Sequence, residues 1–277
     1  MRNNLVRILR TVVASRVALT SDGGILGRVL RGARLPGALL LGVVATAVLA
    51  FSIINLAWAD TTAQTLPLSQ NWTNTNLITA NDNWSGVPGI IGYRGDSLTT
   101  TEGTNPQTIT ADGSGTPVNV TANKTIPSAA NFGGFTEFHQ TNQAPPNDTN
   151  PTVAFQGNVT SDAPHLVMTI NTSGQSNVRV SYNLRDIDGG SNNTVQPVAL
   201  QYRIGNSGVY TNLPAGYVAD ATTGPTLDVL NTPVSVVLPA AADNKPLVQL
   251  RVITATPSVA TSGLVSTTST SPAPPRP

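Results

Sequence analysis

Apolar and polar residues alternate strictly in the second half of this chain. Every second residue is apolar between positions 178 and 184, and the residues between are polar. The same period of two recurs in four further stretches, at residues 166–170, 198–204, 234–238 and 248–252. This period, with its β-branched and aromatic residues, indicates strands that have one buried and one wet face.

Turn-forming residues separate these strands. Glycine and asparagine follow several of them, as at residues 173–175, 188–190 and 205–208. Shorter strand candidates precede them, at residues 89–94, 107–111 and 118–121. No 3.6-residue period is convincing after residue 60. The sequence therefore predicts an all-β fold, an antiparallel, jelly-roll-like β-sandwich, preceded by a hydrophobic signal helix.

The first 59 residues differ sharply from the rest. An apolar run at residues 35–56 follows a long arginine-rich segment and ends at Ala57-Trp58-Ala59, which matches an A-x-A cleavage signature. We expect cleavage after Ala59, with Asp60 as the new N-terminus and a secreted product. The alternative is an uncleaved membrane anchor, since the run is long enough to span a bilayer. Only this segment would then touch the membrane.

Charge and cysteine content exclude several functions. The leader holds seven of the 15 basic and one of the 14 acidic residues, which leaves a mature chain of net charge −5. An acidic chain without a basic cluster does not favour nucleic-acid binding. The chain has no cysteine, so thiolate zinc sites and thiol nucleophiles are excluded. Residues 60–256 are long enough to bury a core without disulfides.

The C-terminal residues, 257–277, are rich in Ser, Thr and Pro. Such a composition buries too little apolar surface to order itself, so we expect a disordered tail. Its deletion is then expected to leave the sandwich soluble and equally stable.

Three segments share a pattern with a known group of proteins. They are residues 70–96, with QNWTNT and WSGVPGIIGYRGD, residues 180–188 (VSYNLRDID) and residues 198–205 (VALQYRIG). The pattern resembles the N-terminal extracellular β-sandwich module of bacterial secreted multidomain proteins, in which lamin-tail or endonuclease/exonuclease/phosphatase domains can follow. The resemblance implies a sandwich over residues 66–254 and no catalytic residue. The closing strand of that group is missing or replaced here. The alternatives are that residues 259–265 supply a makeshift edge, that the protein dimerises, or that the fold is only marginally stable.

An acidic loop after one predicted strand is the first candidate site. Asp186, Asp188, Asn192 and Asn193 bring carboxylate and amide oxygens close together in the sequence. Ca²⁺ takes six to eight oxygen ligands, so this loop is a candidate for a structural calcium ion. The alternative is a turn in which the Asp and Asn side chains bond their own backbone. No other cofactor is expected.

Trp72 and Trp84 are the second candidate site. Their rings would suit a stacking platform for sugars, although large aromatics also anchor cores. Neither His139, His165, Glu102 nor Glu137 has partners at a catalytic spacing.

These observations favour a secreted, non-enzymatic β-sandwich module for recognition, adhesion or spacing, with an extracellular glycan or protein as its ligand. The alternative function is the N-terminal fragment of a secreted hydrolase of the nuclease or phosphatase type, with its catalytic domain outside this chain.

Overall fold

The computed structural model describes residues 60–124, 133–138, 151–158, 160–187, 194–222 and 230–257, and the backbone of 265–268. Residues 57–277 form one compact unit. The predicted leader with Ala57 and Ala59, and the residues Asp188, Asn192, Asn193 and His139, lie outside the described residues. Within the described part, no helix is long and apolar enough to cross a membrane.

Two six-stranded sheets make up the described part. The first has the order β1–β6–β11–β8–β9, with β2 also paired to β6. Its strands are β1 (Gln64–Thr65), β2 (Ile90–Tyr93), β6 (His165–Asn171), β8 (Val198–Ile204), β9 (Thr211–Asn212) and β11 (Val248–Thr254). The second has the order β10–β7–β12–β5–β4–β3. Its strands are β3 (Thr121–Lys124), β4 (Gly134–Phe138), β5 (Thr152–Gln156), β7 (Arg179–Asp186), β10 (Asn231–Val237) and β12 (Val265–Thr268).

The predicted fold class is confirmed, since the two sheets form a largely antiparallel β-sandwich. The five alternating stretches are β6, β7, β8, β10 and β11, and the segment at 89–94 contains β2. Two shorter predictions were wrong in detail. Residues 107–111 contain part of a 3₁₀ turn (Pro106–Thr108), because Asn105 caps that turn with its side chain. The strand expected at 118–121 begins only at Thr121.

The core lies between the sheets. Phe155 stacks on Phe135 with ring centroids 5.1 Å apart, and Trp84 meets Phe135 edge-on at 5.9 Å. Gly92 makes this approach possible, because a Cβ at that position would lie 2.6 Å from the Trp84 ring. The inward side chains of β6, β7, β10 and β11 complete the core.

The tail contains a strand, β12, where sequence analysis favoured a disordered spacer over a makeshift edge at residues 259–265. Residues 257–277 were expected to be disordered and the closing strand to be missing, yet β12 pairs antiparallel with both β5 and β7. The sandwich therefore extends beyond residue 256. Composition failed here because pairing uses backbone groups, which every residue except proline supplies in full.

Deletion of residues 258–277 is expected to destabilise the protein, in contrast to the spacer behaviour that composition predicts. Loss of β12 separates β7 from β5 and exposes two strand edges in the middle of a sheet. Chemical unfolding should show a lower free energy of unfolding. Size-exclusion chromatography should show aggregated protein. Deletion of residues 269–277 alone, which keeps β12, is the control. Equal stability of both truncated chains would contradict the central position of β12.

Candidate functional site

The predicted calcium loop lies mostly outside the described residues. Asp186 ends β7, is only 2% exposed, and donates its backbone N–H to the carbonyl of Leu230 at 3.0 Å. In the described part of the chain, no group of three His, Cys, Asp or Glu side chains could hold a metal ion. The calcium site therefore stays a prediction.

Trp72 and Trp84 do not form an exposed platform, and that interpretation was wrong for the described conformation. They are 2% and 0% exposed and contact each other edge-on at 6.4 Å. The indole N–H of Trp84 donates to the carbonyl of Asn119 at 3.1 Å. Both rings instead anchor residues 70–84 to the core, because burial of large aromatics is strongly favourable.

The outer face of the first sheet carries a cluster of buried polar side chains. The sequence predicted this face to be wet, but Gln201, Arg203, Gln249 and Arg251 are buried, at 8% exposure or less. Residues 95–117, named the cover segment here, lie over this face and supply many of its hydrogen-bond partners. The alternation thus correctly predicted strands, but the prediction that their polar face is exposed to water was wrong.

Arg251 is the centre of this cluster and is fully buried. Its Nη1 donates to the carbonyl of Ala111 at 2.7 Å, and its Nη2 donates to the carbonyl of Ile109 at 2.6 Å. Its Nε donates to Oε1 of Gln201 at 2.8 Å. Burial lowers the pKa of Arg251 to about 10, so the side chain stays charged at neutral pH. The guanidinium therefore ties the cover segment to β8 and β11.

Arg203 supports the same segment through an ion pair. Its Nη1 lies 2.8 Å from Oδ2 of Asp112, and its Nε donates to Oε1 of Gln249 at 2.8 Å. The Tyr210 ring lies between the two arginines, 4.4 Å from Cζ of Arg203 and 3.9 Å from Cζ of Arg251. Burial raises the pKa of Tyr210 to about 12, so the ring stays neutral and attracts both cations.

His165 closes the cluster on the β6 side. It is fully buried, stacks on Tyr93 at 5.4 Å, and donates from Nδ1 to the carbonyl of Ala163 at 2.9 Å. Among the residues that the structure describes, its Nε2 has no hydrogen-bond partner. Burial, and then the positive charge of Arg251, lower the pKa of His165 to about 3. The imidazole is therefore neutral and is not poised for proton transfer near neutral pH.

Glu137 is a further buried ionisable group. It lies on β4 and is 1% exposed. Burial raises its pKa to about 7, while the backbone N–H of Asn123 acts in the opposite direction. His165 lies on β6 of the first sheet and Glu137 on β4 of the second. Glu102 is exposed.

The buried cluster holds the fold rather than a ligand, because its charged groups are already bonded to the chain's own carbonyls and amides. Sequence analysis did not predict it. One signal was present: the pattern Gln-x-Arg occurs on two strands, as Gln201-Tyr202-Arg203 and Gln249-Leu250-Arg251. These strands are neighbours, and the register sets Gln201 opposite Arg251 and Arg203 opposite Gln249.

No protein-family model matches the chain, and no curated protein matches it. Solved structures give weak likenesses. The non-crystalline-cellulose-specific carbohydrate-binding module CBM28 has 11% identity and a TM-score of 0.35, over 62% of this chain and 96% of the module. TmCBM61, in complex with β-1,4-galactotriose, has 10% identity and a TM-score of 0.33, over 50% of this chain and 80% of its own.

An enzyme is also among these structures. A cyclase from Fischerella sp. TAU has 16% identity and a TM-score of 0.30, over 68% of this chain and 87% of its own. Likenesses at this level assign neither a family nor a ligand to the chain.

Replacement of Arg251 by alanine is expected to lower the free energy of unfolding by about 3–5 kcal/mol, because it leaves buried partners unbonded. Urea unfolding measures this loss, and limited proteolysis should then cut within residues 95–117. Arg94→Ala is the matched control, since Arg94 and its ion-pair partner Asp96 are 33% and 31% exposed, and it should cost under about 1 kcal/mol. Equal losses in the two variants would show that the buried cluster does not hold the cover segment.

The shifted pKa values of His165 and Glu137 predict opposite effects of pH on stability. The pKa of His165 falls from 6.5 to about 3 on folding, so its contribution to stability is present above pH 6.5 and is lost as pH falls towards 3. The pKa of Glu137 rises from 4.5 to about 7, so its contribution is present below pH 4.5 and is lost as pH rises through 7. Between pH 4.5 and 6.5 the two effects cancel.

Glu137→Gln should remove this cancellation. Its stability relative to the unmodified protein should rise by about 1.4 kcal/mol per pH unit between pH 4.5 and 7, as measured by urea unfolding across pH. Glu102→Gln, at an exposed position, controls for the loss of one glutamate. A stability difference that does not vary with pH would show that Glu137 titrates normally in the folded protein.

Proposed function

We propose that this chain is an exported, non-enzymatic recognition module that binds a glycan on the outer face of β7 and β10. The basic, apolar leader with its A-x-A end supports export. The binding face is defined by the side chains of Arg179, Ser181, Asn183 and Ser235, which are partly or fully exposed. It is named the β7–β10 face below.

The observation that carries the proposal is the hydrogen-bonding array on this face. The hydroxyls of Ser181 and Ser235 lie 2.9 Å apart on neighbouring strands, and Nη1 of Arg179 donates to the Ser235 hydroxyl at 3.1 Å. Asn183 adds an amide on the same face, two residues further along β7. Hydroxyl and amide groups both donate and accept hydrogen bonds. They match the hydroxyls of a sugar, which also do both.

The non-enzymatic character is supported by the state of four ionisable groups in and beside the cover segment. Arg203, Arg251 and Asp112 are engaged in holding the cover segment, and His165 is neutral and enclosed. General acid–base catalysis needs a group within hydrogen-bond reach of substrate and with a pKa near the working pH. These four groups do not meet both conditions, so their placement favours binding over chemistry.

Glycan binding is testable with two probes, a β-1,4-galactan and non-crystalline cellulose, which are related to the ligands named for the two binding modules above. Affinity electrophoresis and calorimetry should detect binding by residues 57–277. The double variant Asn183→Ala/Ser235→Ala should weaken it about tenfold, because each lost hydrogen bond contributes about 0.5–1.5 kcal/mol.

Ser114→Ala, an exposed serine on the cover segment, is the control and should bind as the unmodified protein does. The proposal would be contradicted if no glycan on an array bound the protein. It would also be contradicted if the double variant bound as well as the unmodified protein.

A further inference from the structure

The outward positions of β7 and β10 carry positive charge and no carboxylate. Eight side chains point outward, at the odd-numbered residues of 179–185 and 231–237, and they include two arginines and no acidic residue. Residues 60–277 as a whole contain eight basic and 13 acidic residues. The β7–β10 face is therefore locally cationic on an otherwise acidic chain, and a ligand of negative charge is attracted there.

Arg179 has an open hydrogen-bonding edge on this face. Its Nη1 donates to the Ser235 hydroxyl at 3.1 Å, and this bond orients the guanidinium. Within the part of the chain that the structure describes, no acceptor bonds its Nε or Nη2, and no carboxylate forms an ion pair with it. The side chain is partly exposed. The edge formed by Nε and Nη2 is therefore accessible to a ligand.

Arg94 shows what such an edge holds in this protein. Its Nε donates to Oδ1 of Asp96 at 3.0 Å, and its Nη2 donates to Oδ2 of the same carboxylate at 2.9 Å. The two N–H groups at this edge are parallel and match the two oxygens of one carboxylate. Arg203 and Arg251 also use Nε and Nη2, to bond amide and carbonyl oxygens. Arg179 has the same edge without such a partner.

The neighbours of Arg179 suit a sugar ring. Val237 lies directly opposite Arg179 on β10 and is 40% exposed. Its methyl groups offer an apolar contact for the C–H groups of the ring, and this contact removes apolar surface from water. The hydroxyls of Ser181 and Ser235 follow on the same face, because side chains two residues apart on a strand point the same way. A carboxylate-binding edge, an apolar surface and two hydroxyls thus lie side by side.

We infer that the glycan bound by the β7–β10 face is acidic, and that Nε and Nη2 of Arg179 bind a carboxylate on one of its sugars. This inference rests on the proposed function and specifies its ligand class, which is glycans that contain uronic acids. The ring that carries the carboxylate lies against Val237, and its hydroxyls bond Ser181 and Ser235. Arg179 thereby selects among glycans, whereas the hydroxyl and amide groups bind neutral and acidic sugars alike.

Two celluloses that differ only at C6 test the inference. One is non-crystalline cellulose, and the other is the same material after oxidation of its C6 hydroxymethyl groups to carboxylates. Residues 57–277 should bind the oxidised polymer about tenfold more tightly, because hydrogen bonds to a charged group are stronger than neutral ones. Depletion of the protein from solution measures both affinities at low ionic strength. The preference should shrink in about 1 M salt, which screens charges.

Two variants of Arg179 identify the residue that causes the preference. Arg179→Gln removes the charge and should abolish the preference, and Arg179→Glu should reverse it because like charges repel. Arg94→Gln is the matched control, since Arg94 is also partly exposed and Asp96 already occupies its Nε and Nη2 edge. This control should keep the preference of the unmodified protein. Urea unfolding verifies that each variant is folded.

The outcomes separate the inference from the proposed function. Equal binding of the two celluloses, weakened for both by Asn183→Ala/Ser235→Ala, would overturn the acidic ligand and leave the glycan site standing. A preference that Arg179→Gln retains, or that Arg94→Gln loses to the same extent, would also overturn it. Binding of neither cellulose by the folded protein would overturn the acidic ligand, and the proposed function falls with it only if the glycan array shows no binding either.

Discussion

The buried charge of Arg251 is the constraint on which the first sheet and its cover depend. A guanidinium held away from water is costly unless its donors are bonded. Here the bonds go to carbonyls of the cover segment and to Gln201, so the charge is tolerated only while residues 109–111 stay in place. The cover segment contains no strand, so the hydrogen bonds of a sheet do not hold it. Its hydrogen bonds to the buried guanidinium hold it in place instead.

Strand positions could be predicted from the sequence, but the environment of each face could not. Alternation located β7 and β8 because a strand sends successive side chains to opposite faces. The alternation also shows which side chains are polar, and the sequence analysis assumed that polar side chains are exposed to solvent. Arg203 and Arg251 show the difference, since a polar face is buried when another part of the chain supplies its hydrogen-bond partners. The repeated Gln-x-Arg pattern was the available sign of such pairing.

The candidate sites were less predictable than the fold. The sequence around Trp72 and Trp84 is compatible both with stacking on a sugar and with filling a core. Only the ring contacts in the folded protein distinguish the two roles. β12 carried no side-chain signal, because Val-Ser-Thr-Thr is typical of a linker.

The position of β12 also sets the order in which the protein can assemble. This strand lies at the C-terminal end of the chain but occupies the middle of the second sheet. Phe155 and Leu184, which emerge from the ribosome much earlier, are joined in one continuous sheet only once Val265 and Thr267 have arrived. Pairing of such distant segments is slow. The second sheet is therefore complete only after residue 268 has been synthesised, and β5 and β7 stay unjoined until then.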